Sequence, residues 1–193
     1  MPSEQAETTH VALLRGINVG GHNRVEMPKL ALTFSELGFT DVRTYINTGN
    51  VVFRTKADAG ADSGTELAPT IEAAIAQRFG FAVKTLVRSR PVIQAIADDL
   101  PADWRNDKTM KSDVMFLWDH IAEPEVLSQL TIVDGVDDVR YSHGAILWRV
   151  DRGVDGAEQN RSGMKKLVGT SLYRQMTVRN CNTFRAIAAL VAD

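Results

Sequence analysis

Two β-rich runs, Val42-Arg43-Thr44-Tyr45-Ile46 and Val51-Val52-Phe53, are separated only by Asn47-Thr48-Gly49-Asn50. Asparagine and glycine suit a tight connection, so the two runs pair antiparallel as a hairpin. What flanks the hairpin narrows the fold further. Before it, residues 10–15 carry the apolar run Val11-Ala12-Leu13-Leu14, which reads as a buried strand. Residues 28–37 then place Leu30, Phe34 and Leu37 at helical spacing between Pro28 and Gly38, the usual punctuation of a helix. After the hairpin, residues 55–66 are small and polar and read as a mobile surface loop. Leu67, Ile71, Ile75 and Phe79 recur every fourth residue up to Gly80, a helical stripe, and residues 81–87 follow as a strand. The order strand, helix, strand, strand, helix, strand is the split βαβ, or ferredoxin-like, arrangement. In it, two helices cover one face of an antiparallel sheet.

The pattern then restarts. Residues 91–100 form a linking helix with Ile93, Ile96 and Leu100 on one side, and the polar stretch 101–107, opened by Pro101, marks a boundary. Residues 114–118 read as a strand and 123–130 as a helix. Residues 136–141 and 145–150 read as a strand pair across Ser142-His143-Gly144. Residues 164–173 and 179–191 look helical, the second with Phe184, Ile187, Ala188 and Val191 on one face, and no closing strand is legible. The expectation is an α+β chain with mainly antiparallel sheets: a flexible tail over 1–9, a ferredoxin-like subdomain with linking helix over 10–100, and a second, with a C-terminal helix, over 101–193. Two halves of like order suggest a structural duplication.

Composition excludes several classes. With 44% apolar and 24% charged residues, the 193-residue chain buries an ordinary core. A formal net charge of −2 provides no global field toward nucleic acid or membrane, so any such attraction is local. One cysteine, Cys181, forms no internal disulfide. The first residues lack a basic region and an apolar signal core, and every uncharged apolar run is far shorter than the roughly 20 residues that span a bilayer. These features lead to the expectation of a cytoplasmic protein with no membrane partner. His10, His22, His120 and His143 have no metal-ligand spacing. Walker, Rossmann and Gly-x-Ser-x-Gly patterns are missing. Neither a metal nor a cofactor is implied, and no catalytic residue is identified.

Two stretches carry chemistry suited to a ligand. In the loop 15–24, Gly16, Gly20 and Gly21 free backbone amides that could face an anion; Arg15, His22 and Arg24 add charge, and Asn18 and Asn23 add amide groups. The alternative is a long turn in which the glycines take positive φ and the asparagines bond their own backbone. The stretch 161–185 holds Arg161, Lys165, Lys166, Arg174, Arg179 and Arg185 without an acid, whereas 119–158 is rich in Asp and Glu. That basic face suits phosphate or a nucleic-acid backbone, or else is a solvated face paired with the acids. Within it, Thr177 suits a helix N-cap, and Asn180 and Asn182 add polarity that marks a site or fastens the last helix to a neighbouring loop. Cys181 reads as a packed thiol.

Three segments, residues 12–21 (Ala-Leu-Leu-Arg-Gly-Ile-Asn-Val-Gly-Gly), Leu37-Gly38-Phe39 and residues 45–53 (Tyr-Ile-Asn-Thr-Gly-Asn-Val-Val-Phe), together resemble the domain-of-unknown-function 1697 family. The resemblance extends to residues 176–183, Met-Thr-Val-Arg-Asn-Cys-Asn-Thr. It implies an α+β fold of two ferredoxin-like subdomains and brings no established activity. Where the family often has tryptophan, this chain has Cys181, a departure that points to packing at that position.

The functional expectation is a binding module for a phosphate-bearing ligand, a nucleotide or nucleic-acid segment, held between the two subdomains. Its ligand-binding residues would be Arg15, Asn18, Gly20 and Gly21, the hairpin residues Asn47 and Asn50, and Arg179, Asn180 and Asn182 from the second half. The alternatives are an enzyme acting on a small phosphorylated or acidic metabolite, with His22 beside the arginines, and an interaction or scaffold module.

Overall fold

Val11, Ala12, Leu13 and Leu14 are all buried because their strand, β1 (Glu7–Leu14), has a hydrogen-bonded partner on each side. The structure is a computed structural model in which residues 7–56, 64 and 66–192 are described. Strand β1 begins three residues ahead of the predicted His10, since Glu7, Thr8 and Thr9 pair with Lys56, Thr55 and Arg54 of β3 (Asn50–Lys56). The hairpin partner β2 is Thr40–Tyr45, and β4, Thr85–Ser89, closes the sheet in the order β2-β3-β1-β4 with every pairing antiparallel. Helices α1 (Met27–Glu36) and α2 (Leu67–Phe79) supply Leu30, Phe34, Ile71 and Ile75 to a core with Ala12, Leu14, Val51, Phe53 and Val87. The rings of Phe34 and Phe53 meet edge-on at 5.2 Å, a favoured aromatic geometry. Helix α3, Arg90–Asp99, follows β4 directly. Of the expected loop 55–66, residues 57–63 and 65 lie outside the described residues, as do residues 1–6 of the expected tail.

The second sheet repeats this order. Strands β5 (Met110–Leu117), β6 (Asp137–Ser142), β7 (Ala145–Asp151) and β8 (Met176–Asn180) lie as β6-β7-β5-β8, again antiparallel throughout. As β4 leads straight into α3, so β8 leads straight into α6 (Cys181–Ala192). The chain divides into two compact units, one comprising Met1–Ile93 with Ala189–Asp193 and the other Gln94–Ala188. It therefore has an α+β fold with two four-stranded antiparallel sheets. No described helix is long and apolar enough to cross a membrane.

Four sequence expectations are corrected. Strand β4 occupies 85–89 and not 81–87, because Thr85 is the partner of Leu14, where β1 ends. The helix expected from residue 179 begins at Cys181. Residues 176–180, which include the β-branched pair Thr177-Val178, instead form the missing closing strand along the edge of β5. The N-cap is accordingly Asn180, whose Oδ1 accepts the Thr183 N–H at 2.9 Å, and Thr177 is a strand residue paired with Phe116. The helices expected over 123–130 and 164–173 are shorter: a 3₁₀ helix over Pro124–Gln129, and α5 (Met164–Leu167) followed by a 3₁₀ turn over Tyr173–Gln175; the five-residue helix α4 (Ala157–Arg161) precedes α5. The Val168-Gly169-Thr170 sequence ends α5, and Thr170 Oγ1 donates to the Leu167 carbonyl.

A carboxylate does in this unit part of what longer helices do in the first. Asp137 Oδ1 accepts from Trp148 Nε1 (3.0 Å) and from the Ser162 hydroxyl, and Oδ2 accepts from the backbone N–H groups of Val133 (2.8 Å) and Gly163 (2.9 Å). It thereby ties the segments around 133 and 162–163 to the buried Trp148 of β7, and Met164 and Leu167 pack beside Met115, Leu117 and Ile146. Burial opposes ionisation of Asp137, but the four hydrogen bonds outweigh it and hold its pKa below the usual 3.8.

Candidate functional site

The glycine-rich loop leaves β1 at Leu14 and turns back on itself. The backbone N–H of His22 donates to the Val19 carbonyl at 3.1 Å, and Gly20 and Gly21, at φ 58° and 79°, form the centre of this tight turn; positive φ at both central residues is what a type I′ turn needs. Asn18 and Asn23 also take left-handed φ, 54° and 52°. Asn18 is the strut of the loop: Nδ2 donates to the carbonyls of Val25 (3.0 Å) and Asn47 (2.8 Å), and Oδ1 accepts the Val25 N–H (2.9 Å). One side chain thus pins the loop to itself and to the β2–β3 turn. Asn23 Nδ2 donates to the Gly16 carbonyl at 3.1 Å.

The β2–β3 turn is displaced by one residue from the sequence expectation. Tyr45 pairs with Asn50, so the turn is residues 46–49 and Asn50 opens β3. Asn50 is fully buried, and its Nδ2 donates to the Tyr45 carbonyl (2.9 Å) and Thr48 Oγ1 (3.1 Å). Ile46 consequently takes φ 48°, an outlier for a β-branched side chain. Ile46→Gly is expected to stabilise the protein by about 1 kcal/mol by removing this strain. Urea denaturation followed by far-UV circular dichroism checks it, and a loss of stability would show that the side chain contributes more than the strain costs.

Beside these two loops lies a hollow of about 550 Å³ lined by Asn18, Gly21, Arg24, Glu26, Met27 and Asn47 together with Val25 and Pro28. Arg24 is exposed on its rim. Helix α1 begins there, with Glu26 at the N-cap making no side-chain capping bond to any described residue and Pro28 in the first turn. The Glu26 carboxylate is paired with Lys29 at 2.7 Å. Of the residues named from sequence, the first unit therefore gathers Asn18, Gly21 and Asn47 around one hollow. Gly20 lies at the turn and Asn50 inside the hairpin. Arg15 is partly buried, and its backbone N–H donates to the Lys84 carbonyl.

In the second unit, Arg179 is 6% exposed, and its Nη1 donates to Thr177 Oγ1 (3.0 Å) and the Val178 carbonyl (2.9 Å). Burial lowers its pKa to about 10. Asn182 Nδ2 donates to the Asn106 carbonyl (2.9 Å), and its Oδ1 accepts the Asn106 N–H (3.3 Å). Cys181 is buried, and its sulfur accepts the Ser112 hydroxyl at 2.8 Å. Among the described residues, no group of three or more His, Cys, Asp or Glu is placed to hold a metal ion. One feature the sequence reading missed is Arg88, 6% exposed at the same place in β4 that Arg179 occupies in β8. The repeated Val87-Arg88-Ser89 and Val178-Arg179-Asn180, each followed by a helix, could have revealed it.

A family model described as a protein of unknown function (DUF1697) matches residues 8–148. The chain belongs to the DUF1697 family. The DUF1697 match holds the whole loop and hairpin just described and ends at Trp148, so residues 176–183 lie beyond it. A solved structure described as that of the conserved bacterial protein SP0830 from Streptococcus pneumoniae is similar over 96% of this chain and 99% of that chain. The two have 28% sequence identity and a TM-score of 0.78. No curated protein matches the chain significantly.

Proposed function

We propose that this DUF1697 protein binds a phosphate-bearing ligand, a nucleotide or a nucleic-acid segment, through the hollow beside its glycine-rich loop. The observation that carries the reading is the position of the exposed Arg24 at the same hollow as the first turn of α1. A helix N-terminus presents N–H groups without intrahelical partners and a partial positive charge, and a guanidinium adds a planar donor set suited to phosphate. Glu26, the acid among the lining residues, is offset by Lys29 at 2.7 Å. Asn18 holds the loop and hairpin together, so the hollow is formed before a ligand arrives and little ordering cost remains. Arg179, Asn180 and Asn182 have hydrogen-bonding roles within the second unit, and the reading does not depend on them.

Arg24→Ala is expected to weaken nucleotide binding about tenfold, the value of one charge-assisted contact. The test is calorimetric titration with AMP, ATP and a short single-stranded oligonucleotide at about 50 mM and about 200 mM salt, with affinity falling as salt rises. Absence of binding by all three at low salt, or binding that Arg24→Ala leaves unchanged, would overturn the reading.

A further inference from the structure

The second unit has a hollow of its own, about 290 Å³, between β5, β7 and the segment that carries α4 and α5. Its volume is just under the usual range for small-molecule sites, about 300–1,000 Å³. We propose that it binds a small organic anion with an apolar body, the charged head on Lys111 and Lys165 and the body on Val150, Met164 and Val168. This site is separate from the hollow beside Arg24.

The lining divides by chemistry. Val150 and Met164 are 0% and 5% exposed, whereas Val168 is 57% exposed, which gives a buried apolar floor and an apolar lip. Methionine adapts its shape to what it packs against. The lining contains two lysines and no acid. Lys165 Nζ donates to Asn160 Oδ1 at 3.2 Å, a neutral partner. Lys111 Nζ is 3.6 Å from Asp113 Oδ2, too long for a strong charged hydrogen bond. Asp113, whose pKa burial raises above the usual 3.8, offsets part of the charge of Lys111. Arg152 adds a third cation nearby, its guanidinium donating to Gln159 Oε1, Asn106 Oδ1 and the Asp107 carbonyl and also acting on Asp113, so that three cations face one acid. The Ser162 hydroxyl is already committed to Asp137 and to the Met164 N–H, so recognition of the anionic head falls to the lysines. An apolar floor with an excess of positive charge above it fits a carboxylate or a phosphate monoester on a short hydrocarbon body.

The test is a nuclear magnetic resonance titration of the full chain with methyl-labelled methionine, using hexanoate, hexyl phosphate, hexanol and inorganic phosphate as probes. Hexanoate or hexyl phosphate should shift the Met164 methyl and the backbone amides of 159–168 saturably, and the tighter of the two identifies the preferred head group. Hexanol and inorganic phosphate, each with half of the required chemistry, should bind at least about tenfold more weakly. Lys165→Gln, at an exposed position that does not threaten folding, should weaken the better anion about tenfold, Lys111→Gln similarly, and Arg24→Ala not at all. Equal binding of hexanol and hexanoate, shifts confined to residues away from Lys111, Val150 and 159–168, no saturable shift, or indifference to both lysine substitutions would overturn the proposal.

Discussion

Asp137→Ala is expected to destabilise the protein by about 3 to 4 kcal/mol, because one substitution leaves four donors without their acceptor. Two of them, Trp148 Nε1 and the Ser162 hydroxyl, belong to side chains 0% and 2% exposed, and the other two are the backbone N–H groups of Val133 and Gly163. Asp137→Asn is a weak rescue: each carboxylate oxygen accepts two donors, so an amide nitrogen in either place meets N–H or O–H groups with N–H of its own. About 2 kcal/mol should still be lost. The pH dependence has a definite sign. The folded pKa of Asp137 lies below its ordinary 3.8, so the stabilising contribution of the carboxylate is fully present above that value and is lost as pH falls through the folded pKa. The difference between wild type and Asp137→Ala should therefore narrow below pH 3.8 and be constant at neutral pH. All three tryptophans, Trp104, Trp118 and Trp148, lie in Gln94–Ala188, so intrinsic fluorescence during urea denaturation reports this unit. Equal stability of the two proteins at neutral pH would show that the network is dispensable.

Gly49 and Gly21 offer a matched pair, since both have φ 79°. A Cβ at Gly49 would lie 2.7 Å from Leu14 Cβ and 2.8 Å from Ile17 Cδ1, whereas at Gly21 it would meet nothing within 4 Å. Gly21→Ala should cost about 1 kcal/mol, the left-handed backbone term alone. Gly49→Ala should cost about 3 kcal/mol, because a steric term from the buried Leu14 and Ile17 is added to the same backbone term. The Leu14 N–H donates to the Gly49 carbonyl at 2.8 Å, so movement there disturbs the root of the glycine-rich loop, and nucleotide affinity should fall along with stability. Hydrogen exchange of the β1 and β3 amides measures the loss inside the first unit. Equal losses for the two variants would mean that Leu14 and Ile17 yield without cost.

The first unit was legible because its signals are local and strong. The β-branched runs around the asparagine–glycine turn produced the β2–β3 pair, and the four-residue stripe of Leu67, Ile71, Ile75 and Phe79 produced α2. The second unit was less so. Arg179-Asn180 runs without a break into the apolar periodicity of α6, so short-range pattern gave the last two residues of β8 to the helix and read Thr177 as its N-cap. The unpaired edge of β5, which a local reading of the chain does not see, decides the matter. In the same way 164–173 has helical apolar spacing, yet the hydrogen bonds of Asp137 to Gly163 and Ser162, from far along the chain, help hold a shorter element.

The candidate residues divide along the same line. Glycine and asparagine placement marked the loop 15–24 as irregular and polar, since those side chains tolerate left-handed backbone and bond locally. Which asparagine faces a ligand and which serves as a strut depends on where distant carbonyls such as that of Asn47 come to rest. Composition and periodicity alone determined that this chain is α+β, with a hairpin turning within one residue of 47–50 and a sheet covered by two helices in its first half, because those properties are set by neighbours a few residues apart. Tertiary structure decided the closing strand of the second sheet, the burial of Arg179 and the two hollows, because each is made by segments that are remote in sequence and meet only when the sheets form.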